Sequence, residues 1–246
     1  MEAIILAGGL GTRLRPIVTD VPKPMAPVHG YPFLQYQIDY WIGQGVRRFV
    51  LSVGHRAEQI LEYFGDRMGT AQISYAIERK PLGTGGGIRL AASLLKESGP
   101  CLILNGDTYV PVDLKKIWAF HKSRRADLTL SLLRVNAADR YHGVQVDPMG
   151  RVKTFQPADS ALQKTCLINA GVYLAEPAAL KSFGKPSHPI SFENEVLPKF
   201  IADEKRVFGN ETDGPFIDIG IPEDYRRAAS VLEPVFLNTR RLKNAS

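Results

Sequence analysis

The stretch Leu6-Ala7-Gly8-Gly9-Leu10-Gly11-Thr12-Arg13-Leu14-Arg15-Pro16 constrains this chain more than any other. The run Glu2–Leu6 before it reads as a buried strand. Gly8, Gly9 and Gly11 then strip side chains from a short piece of backbone. Bare N–H groups there can approach a ligand closely and form a concavity for an anion. Arg13, Arg15 and Lys23 add positive charge at the same place. Strand, bare turn and cations together suit a nucleotide's phosphate tail; a merely tight connection is the competing reading. A dinucleotide fingerprint is excluded, because the position three after Gly11 holds Leu14. A Walker A loop is excluded too, because Gly11 is followed by Thr12-Arg13 rather than Lys-Ser/Thr.

The rest of the first half alternates strand and helix. Pro32 opens a helical pattern that ends near Gly43–Gly45, and Arg48–Val53 is an apolar strand, continuous as in a sheet covered on both faces. Helices follow at Ala57–Phe64, Gly87–Lys96 and Leu114–Lys122, with strands at Ile73–Ile77, Cys101–Leu104 and Asp127–Val135. This order predicts a three-layer α/β fold with a mostly parallel sheet. From about residue 140 the pattern changes. Short strands are expected at Gly143–Val146, Val152–Phe155 and Leu167–Leu174, a helix at Phe192–Ile201, a strand-like run at Phe216–Gly220 and a helix from Pro222. With no linker in sight, residues 1–246 read as one domain: a nucleotide-binding half (1–135), a substrate-binding half (136–235) and a polar tail (236–246). Asn238–Ser246 is expected to fray.

A net charge of +6 favours an anionic partner. The basic residues are spread along the chain rather than gathered with aromatics, which argues for a phosphorylated small molecule over nucleic acid. The two cysteines, Cys101 and Cys166, lie in apolar runs and read as buried free thiols in a reducing cytoplasm. No signal peptide and no membrane span are expected.

In open α/β sheets ligands bind beyond the carboxyl ends of the strands. Asp107 falls there, after Asn105-Gly106. It either caps the segment that starts near Val112 or serves as a Mg²⁺ ligand beside substrate phosphates. Asp218 sits in the apolar run Phe216–Ile219, so its carboxylate needs a partner: a metal shared with Asp107, or a basic neighbour. Pro81–Gly87 is a second glycine loop running into a helix, suited to an anion or a base edge. Asn169-Ala170-Gly171 interrupts a strand, as a hydroxyl-recognition site or as a β-bulge. The histidines His29, His55, His121, His142 and His188 show no ligand spacing and read as surface or loop positions, with His142 nearest a pocket edge.

Taken together, Leu6–Pro16 with Lys23-Pro24-Met25, Pro81–Gly86, Asn105–Asp107, Ile168–Tyr173 and Asp218–Tyr225 resemble the sugar-1-phosphate nucleotidylyltransferases. Within that family, Lys23–Pro27 is most like the D-glycero-α-D-manno-heptose 1-phosphate guanylyltransferases. The resemblance implies a three-layer Rossmann-like nucleotidyltransferase fold with a mixed, mostly parallel sheet. It implies transfer of a nucleoside monophosphate from a nucleoside triphosphate, GTP favoured, to a sugar 1-phosphate, with Mg²⁺. Leu6, Ala7, Gly8 and Gly9 would line the base and ribose site, and Gly11, Thr12 and Arg13 would hold the triphosphate. Lys23 would neutralise the reacting phosphates, with Arg13, Lys23 and Asp107 as the catalytic set. Pro81, Gly83 and Thr84 would touch the base with Glu78 nearby, Asp107 and Asp218 would bind the metal, and Gly143, Asn169 and Asp218 would face the sugar phosphate. The family often carries Glu-Lys before Asn-Ala-Gly; this chain has Phe155-Gln156-Pro157-Ala158 instead, leaving Lys153 or Lys164 as substitutes. Uridylyl transfer to another sugar phosphate and a non-catalytic nucleotide or sugar-phosphate sensor are the alternatives. The resemblance leaves a homo-oligomer open and implies neither a nucleic-acid nor a membrane partner.

Overall fold

A computed structural model describes residues 1–244 other than 10, 12, 15, 137–141, 158–164 and 183–187, and does not describe the side chains of 142, 156, 157, 165 and 236–244. The strands are β1 (Glu2–Leu6), β2 (Pro27–Val28), β3 (Tyr31–Pro32), β4 (Arg48–Val53), β5 (Arg67–Met68), β6 (Ala71–Ile77), β7 (Cys101–Asn105), β8 (Thr108–Tyr109), β9 (Leu128–Asn136), β10 (His142–Val146), β11 (Val152–Pro157), β12 (Thr165–Ala175), β13 (Val207–Glu211) and β14 (Ile217–Asp218). The helices are α1 (Phe33–Gly43), α2 (Ala57–Phe64), α3 (Gly83–Ala92), α4 (Leu114–Ser123), α5 (Pro177–Ser182), α6 (Leu197–Ala202) and α7 (Pro222–Asn244).

A ten-stranded mixed sheet runs β11-β10-β12-β7-β1-β4-β6-β5, with β9 beside β12 and β13 beside β9. Its centre, β7-β1-β4-β6, is parallel. Strand β1 pairs with β4 on one side and β7 on the other, so the chain winds outward in both directions from β1. A crevice at such a switch point is where this architecture binds ligands.

Alternation along β1 builds the three layers. Ile5 points to the face covered by α1, α2 and α4, among Ile38, Trp41, Ile60 and Ile117. Its neighbour Ile4 points to the opposite face, among Ile88, Phe192, Leu197 and Phe200. Both are fully buried, each contributing roughly 1.5–3 kcal/mol of apolar transfer. A third cluster joins α1 to α7 through Phe33, Tyr36, Ile219 and Leu232. Asp113 caps α4 by accepting from the amides of Lys115 and Lys116, so the capping role considered for Asp107 falls to a different acid.

The structure departs from the sequence reading in several places. Helix α3 begins at Gly83, inside the glycine run, rather than at Gly87. Gly83 has φ +73°, and a Cβ there would overlap the Ile190 carbonyl. The Gly85 amide donates to that same carbonyl at 2.9 Å, so the glycines let segment 190–192 lie directly on the helix start. Strand β13 and helix α5 were not expected. Phe192–Val196 forms a π-helical turn before α6. The segment expected as a frayed tail from Asn238 instead continues α7 as far as Asn244. Among the described residues no helix is long and apolar enough to cross a membrane.

Candidate functional site

A cleft of about 560 Å³ opens at the carboxyl ends of the parallel strands. Of the residues singled out from the sequence, Leu6, Gly8, Gly9, Lys23, Glu78, Pro81, Gly83, Thr84 and Asp107 line it. Ala7 does not: it is buried at 1% exposure, and its amide donates to Ser52 O at 2.8 Å. Gly11 lines a smaller adjoining cavity with Lys23, His55 and Arg56. Arg13 is exposed and borders neither cavity, and Thr12 lies outside the described residues.

The acidic end is built by two short elements. After β7 the chain turns through Gly106, whose amide donates to Leu6 O at 2.9 Å. A Cβ at Gly106 would overlap that oxygen, so the position needs glycine for close approach. Gln37, buried in α1, donates its amide to the carbonyls of Asn105 and Thr108 and locks the turn. Antiparallel pairing of β8 with β14 then sets Asp218 opposite Thr108, and the Ile219 amide donates to Asp107 O at 3.0 Å. This ladder brings together two carboxylates more than a hundred residues apart in sequence. Lys23 sits between them: its Nζ contacts Asp107 Oδ2 and lies 3.9 Å from Asp218 Oδ1. Asp218 also accepts from the Gly220 amide at 2.7 Å. The basic-neighbour reading of Asp218 is therefore realised in this state, through Lys23.

The metal reading is tested by the donor set. Two carboxylates face one cation position, and hard oxygen donors suit Mg²⁺. Among the described residues no group of three or more His, Cys, Asp and Glu forms a cage. The residues therefore fit a metal that Asp107 and Asp218 would hold together.

The rest of the cleft is rich in glycine. Gly8, Gly9 and Gly54 line it after β1 and β4, and Pro81, Gly83 and Thr84 line it after β6. Glu78, at the end of β6, turns its carboxylate inward: Ser52 Oγ donates to Oε1 at 2.9 Å and the Leu82 amide to Oε2 at 3.0 Å. A Cβ at Gly8 would lie 2.8 Å from Glu78 Oε1, so glycine there lets the first glycine loop pack directly against Glu78. Thr84 Oγ1 donates to Glu193 Oε2 at 2.7 Å and accepts from the Phe192 amide at 2.8 Å.

Gly143 and Asn169 lie one register step apart, since Gly143 pairs with Ile168. The register against β9 shifts between Asn169 and Tyr173, with Gly171 inside the shift, so the interruption in β12 is a bulge. Asn169 Oδ1 accepts from the Gly171 amide at 3.2 Å, and Asn169 Nδ2 donates to Tyr173 OH. Burial pushes the Tyr173 hydroxyl far above its ordinary value. Neither Gly143 nor Asn169 lines the main cleft. Lys153, one substitute considered for the family's lysine, pairs with Asp147 at 3.4 Å and also does not line it. Lys164 lies outside the described residues.

Arg79, Lys80 and Asn105 also line the cleft, within the stretches Glu78–Thr84 and Asn105–Asp107 expected at the strands' carboxyl ends, whereas sequence reasoning missed Gly54, His55 and Glu193. His55, expected at a surface or loop position, lies in the loop after β4 and borders both cavities because β4 ends beside the first glycine loop. His121 was read the same way, yet it is fully buried: Nδ1 meets Thr129 Oγ1 at 2.8 Å, and Nε2 is 3.6 Å from Glu176. The thiol expectation holds fully for Cys101, which is buried, and less so for Cys166, which is half-buried.

Comparison with known proteins agrees with this geometry. A family model described as nucleotidyl transferase matches residues 2–234. The D-glycero-α-D-manno-heptose 1-phosphate guanylyltransferase of Aneurinibacillus thermoaerophilus is 43% identical over 233 residues, 95% of this chain and 99% of the relative. The Campylobacter jejuni protein of the same description is 39% identical over 227 residues, 92% of this chain and 97% of the relative. The crystal structure of HddC from Yersinia pseudotuberculosis matches with a TM-score of 0.80 at 36% identity, covering 93% of this chain and 98% of that one. The same protein solved in complex with GMP-PN matches with a TM-score of 0.79. With its parallel sheet, its glycine cleft and a match across almost its whole length, the chain belongs to the nucleotidyl transferase family.

Proposed function

We propose that this protein transfers GMP from GTP to D-glycero-α-D-manno-heptose 1-phosphate in a Mg²⁺-dependent reaction that releases pyrophosphate. The observation that carries the reaction type is the Lys23 ammonium between Asp107 and Asp218, at one end of a glycine-lined cleft. The base and the sugar rest on the full-length relatives described as heptose 1-phosphate guanylyltransferases.

A sugar phosphate oxygen attacks the α-phosphorus, a bond forms from that oxygen to phosphorus, and the bond to the pyrophosphate oxygen breaks. The nucleophile is already ionised at neutral pH, so neither a protein base nor a covalent intermediate is needed. What remains for the protein is positioning and charge stabilisation. Lys23 neutralises charge on the reacting phosphates, and the first glycine loop presents bare backbone to the triphosphate. Glu78 and Ser52 hold that loop and the 78–82 turn in place. Asp107 and Asp218 would hold the metal, which when bound supplies Lewis-acid stabilisation of phosphate oxygens. Gly143 and Asn169 are assigned to the acceptor sugar, Arg13 to the triphosphate. The free thiols of Cys101 and Cys166 accord with a reducing cytoplasm.

The test is pyrophosphate release from GTP and the heptose 1-phosphate, with wild type and with Lys23→Ala. Mg²⁺-dependent release that falls at least a hundredfold in the variant supports the reading. Equal release by both proteins contradicts it.

A further inference from the structure

We propose that Arg79 and Lys80 set the base preference of the site by donating to O6 and N7 of guanine. The proposal deepens the functional reading above and rests on it. With the reacting phosphates assigned to Lys23, Asp107 and Asp218 beyond β7, the strand order β7-β1-β4-β6 leaves the β6 side of the cleft for the base. Between the two sides the cleft is lined by Gly8, Gly9 and Gly54, which follow β1 and β4 and carry no side chains. A Cβ added to Gly9 would meet nothing within 4 Å, so this part of the cleft is open to a flat ring.

The 78–82 turn follows β6 and lines that side of the cleft. Because the Glu78 carboxylate is held inward by Ser52 and by the Leu82 amide, the turn closes on itself and its tip consists of Arg79 and Lys80. Both side chains are exposed and both line the cleft. Neither forms a salt bridge among the described residues, so their donors remain available to a ligand edge. A general anion trap would place such cations at the phosphate end; these stand at the base end.

The chemistry selects the ligand. Guanine presents two acceptors side by side, O6 and N7, and Arg or Lys is their commonest partner. Adenine keeps N7 but carries an amino donor at C6, which faces a cation donor to donor. A pyrimidine has no N7. Cationic donors on this side of the cleft therefore favour guanine over adenine through a mismatch as well as a match.

The experiment measures kcat/KM for GTP, ATP and 7-deaza-GTP with wild type, Arg79→Ala, Lys80→Ala and the double variant. Both residues are exposed, so the variants should fold, and melting curves check this. The proposal expects the GTP-to-ATP ratio to fall about tenfold or more in the double variant. It also expects 7-deaza-GTP to be a poorer substrate than GTP for wild type, with that difference shrinking in the double variant. If GTP and ATP fall by the same factor, the pair acts only as general charge and the proposal is overturned. An unchanged ratio overturns it as well, while leaving the guanylyl reading intact. A wild-type preference for ATP over GTP overturns both.

Discussion

Replacing Asp107 with Asn separates the fold from the chemistry. The turn that carries Asp107 is held by backbone bonds that do not use its carboxylate: Gly106 to Leu6 at 2.9 Å and Ile219 to Asp107 O at 3.0 Å. Asn has the same shape, and Lys23 keeps Asp218 at 3.9 Å. The Asp107 side chain is 34% exposed, so solvent screening limits what the lost ion pair contributes to stability to about 1 kcal/mol or less. A chain of this size should then melt within about 2–4 °C of wild type. The reaction loses far more. A carboxylate that holds a metal against reacting phosphates acts on charge developing in the transition state. Removing one such stabiliser costs about 10²–10³ in kcat, or about 2.7–4 kcal/mol. The assay is pyrophosphate release at saturating GTP and sugar phosphate, paired with a thermal melt. A kcat within threefold of wild type at an unchanged melting temperature would refute the assignment of Asp107.

Other consequences follow from geometry away from the carboxylates. Gly83→Ala combines a φ of +73° with overlap of the Ile190 carbonyl; it should cost about 1–3 kcal/mol or more and lower the melting temperature accordingly. His121 is held below its ordinary value of 6.5, chiefly by burial, with Glu176 opposing. The unfolded chain therefore takes the proton first, and stability should fall as pH drops below about 6.5. His121→Gln should flatten that slope between pH 7.5 and 5, and equal losses in both proteins would contradict the assignment. Burial pushes the Cys101 thiol up to about 12, so mass spectrometry after iodoacetamide treatment at pH 8 should find it unmodified in the folded protein and modified after denaturation.

The sheet was legible because its strands are continuous apolar runs and its helices carry clear boundaries. Arg48–Val53 and Ala57–Phe64 match their expected ends. The first glycine loop, Lys23 and Asp107 stood out because bare backbone and charge beside a buried strand are rare unless a ligand needs them. That Asp107 and Asp218 meet was expected from the resemblance; the means, a two-residue ladder between β8 and β14, is too short to leave a periodic signal. Strand β13 was missed because Val207–Glu211 mixes Gly209, Asn210 and Glu211 with only two apolar residues. It forms because β9 offers a parallel edge. The start of α3 was misplaced because glycine disfavours helix by propensity, while close approach of Ile190 requires it there. His55 and His121 carry no spacing signal; one is set by where β4 ends, the other by the packing of α4 on β9. Glu193 is presented to the cleft by a π-helical turn, which sequence periodicity does not announce.

The most direct test of the central claim is a matrix of the four nucleoside triphosphates against several sugar 1-phosphates, read as pyrophosphate release with and without Mg²⁺. The account predicts the highest turnover for GTP with D-glycero-α-D-manno-heptose 1-phosphate, and none without the metal. Metal-independent release, or faster transfer from UTP to a different sugar phosphate, would contradict it.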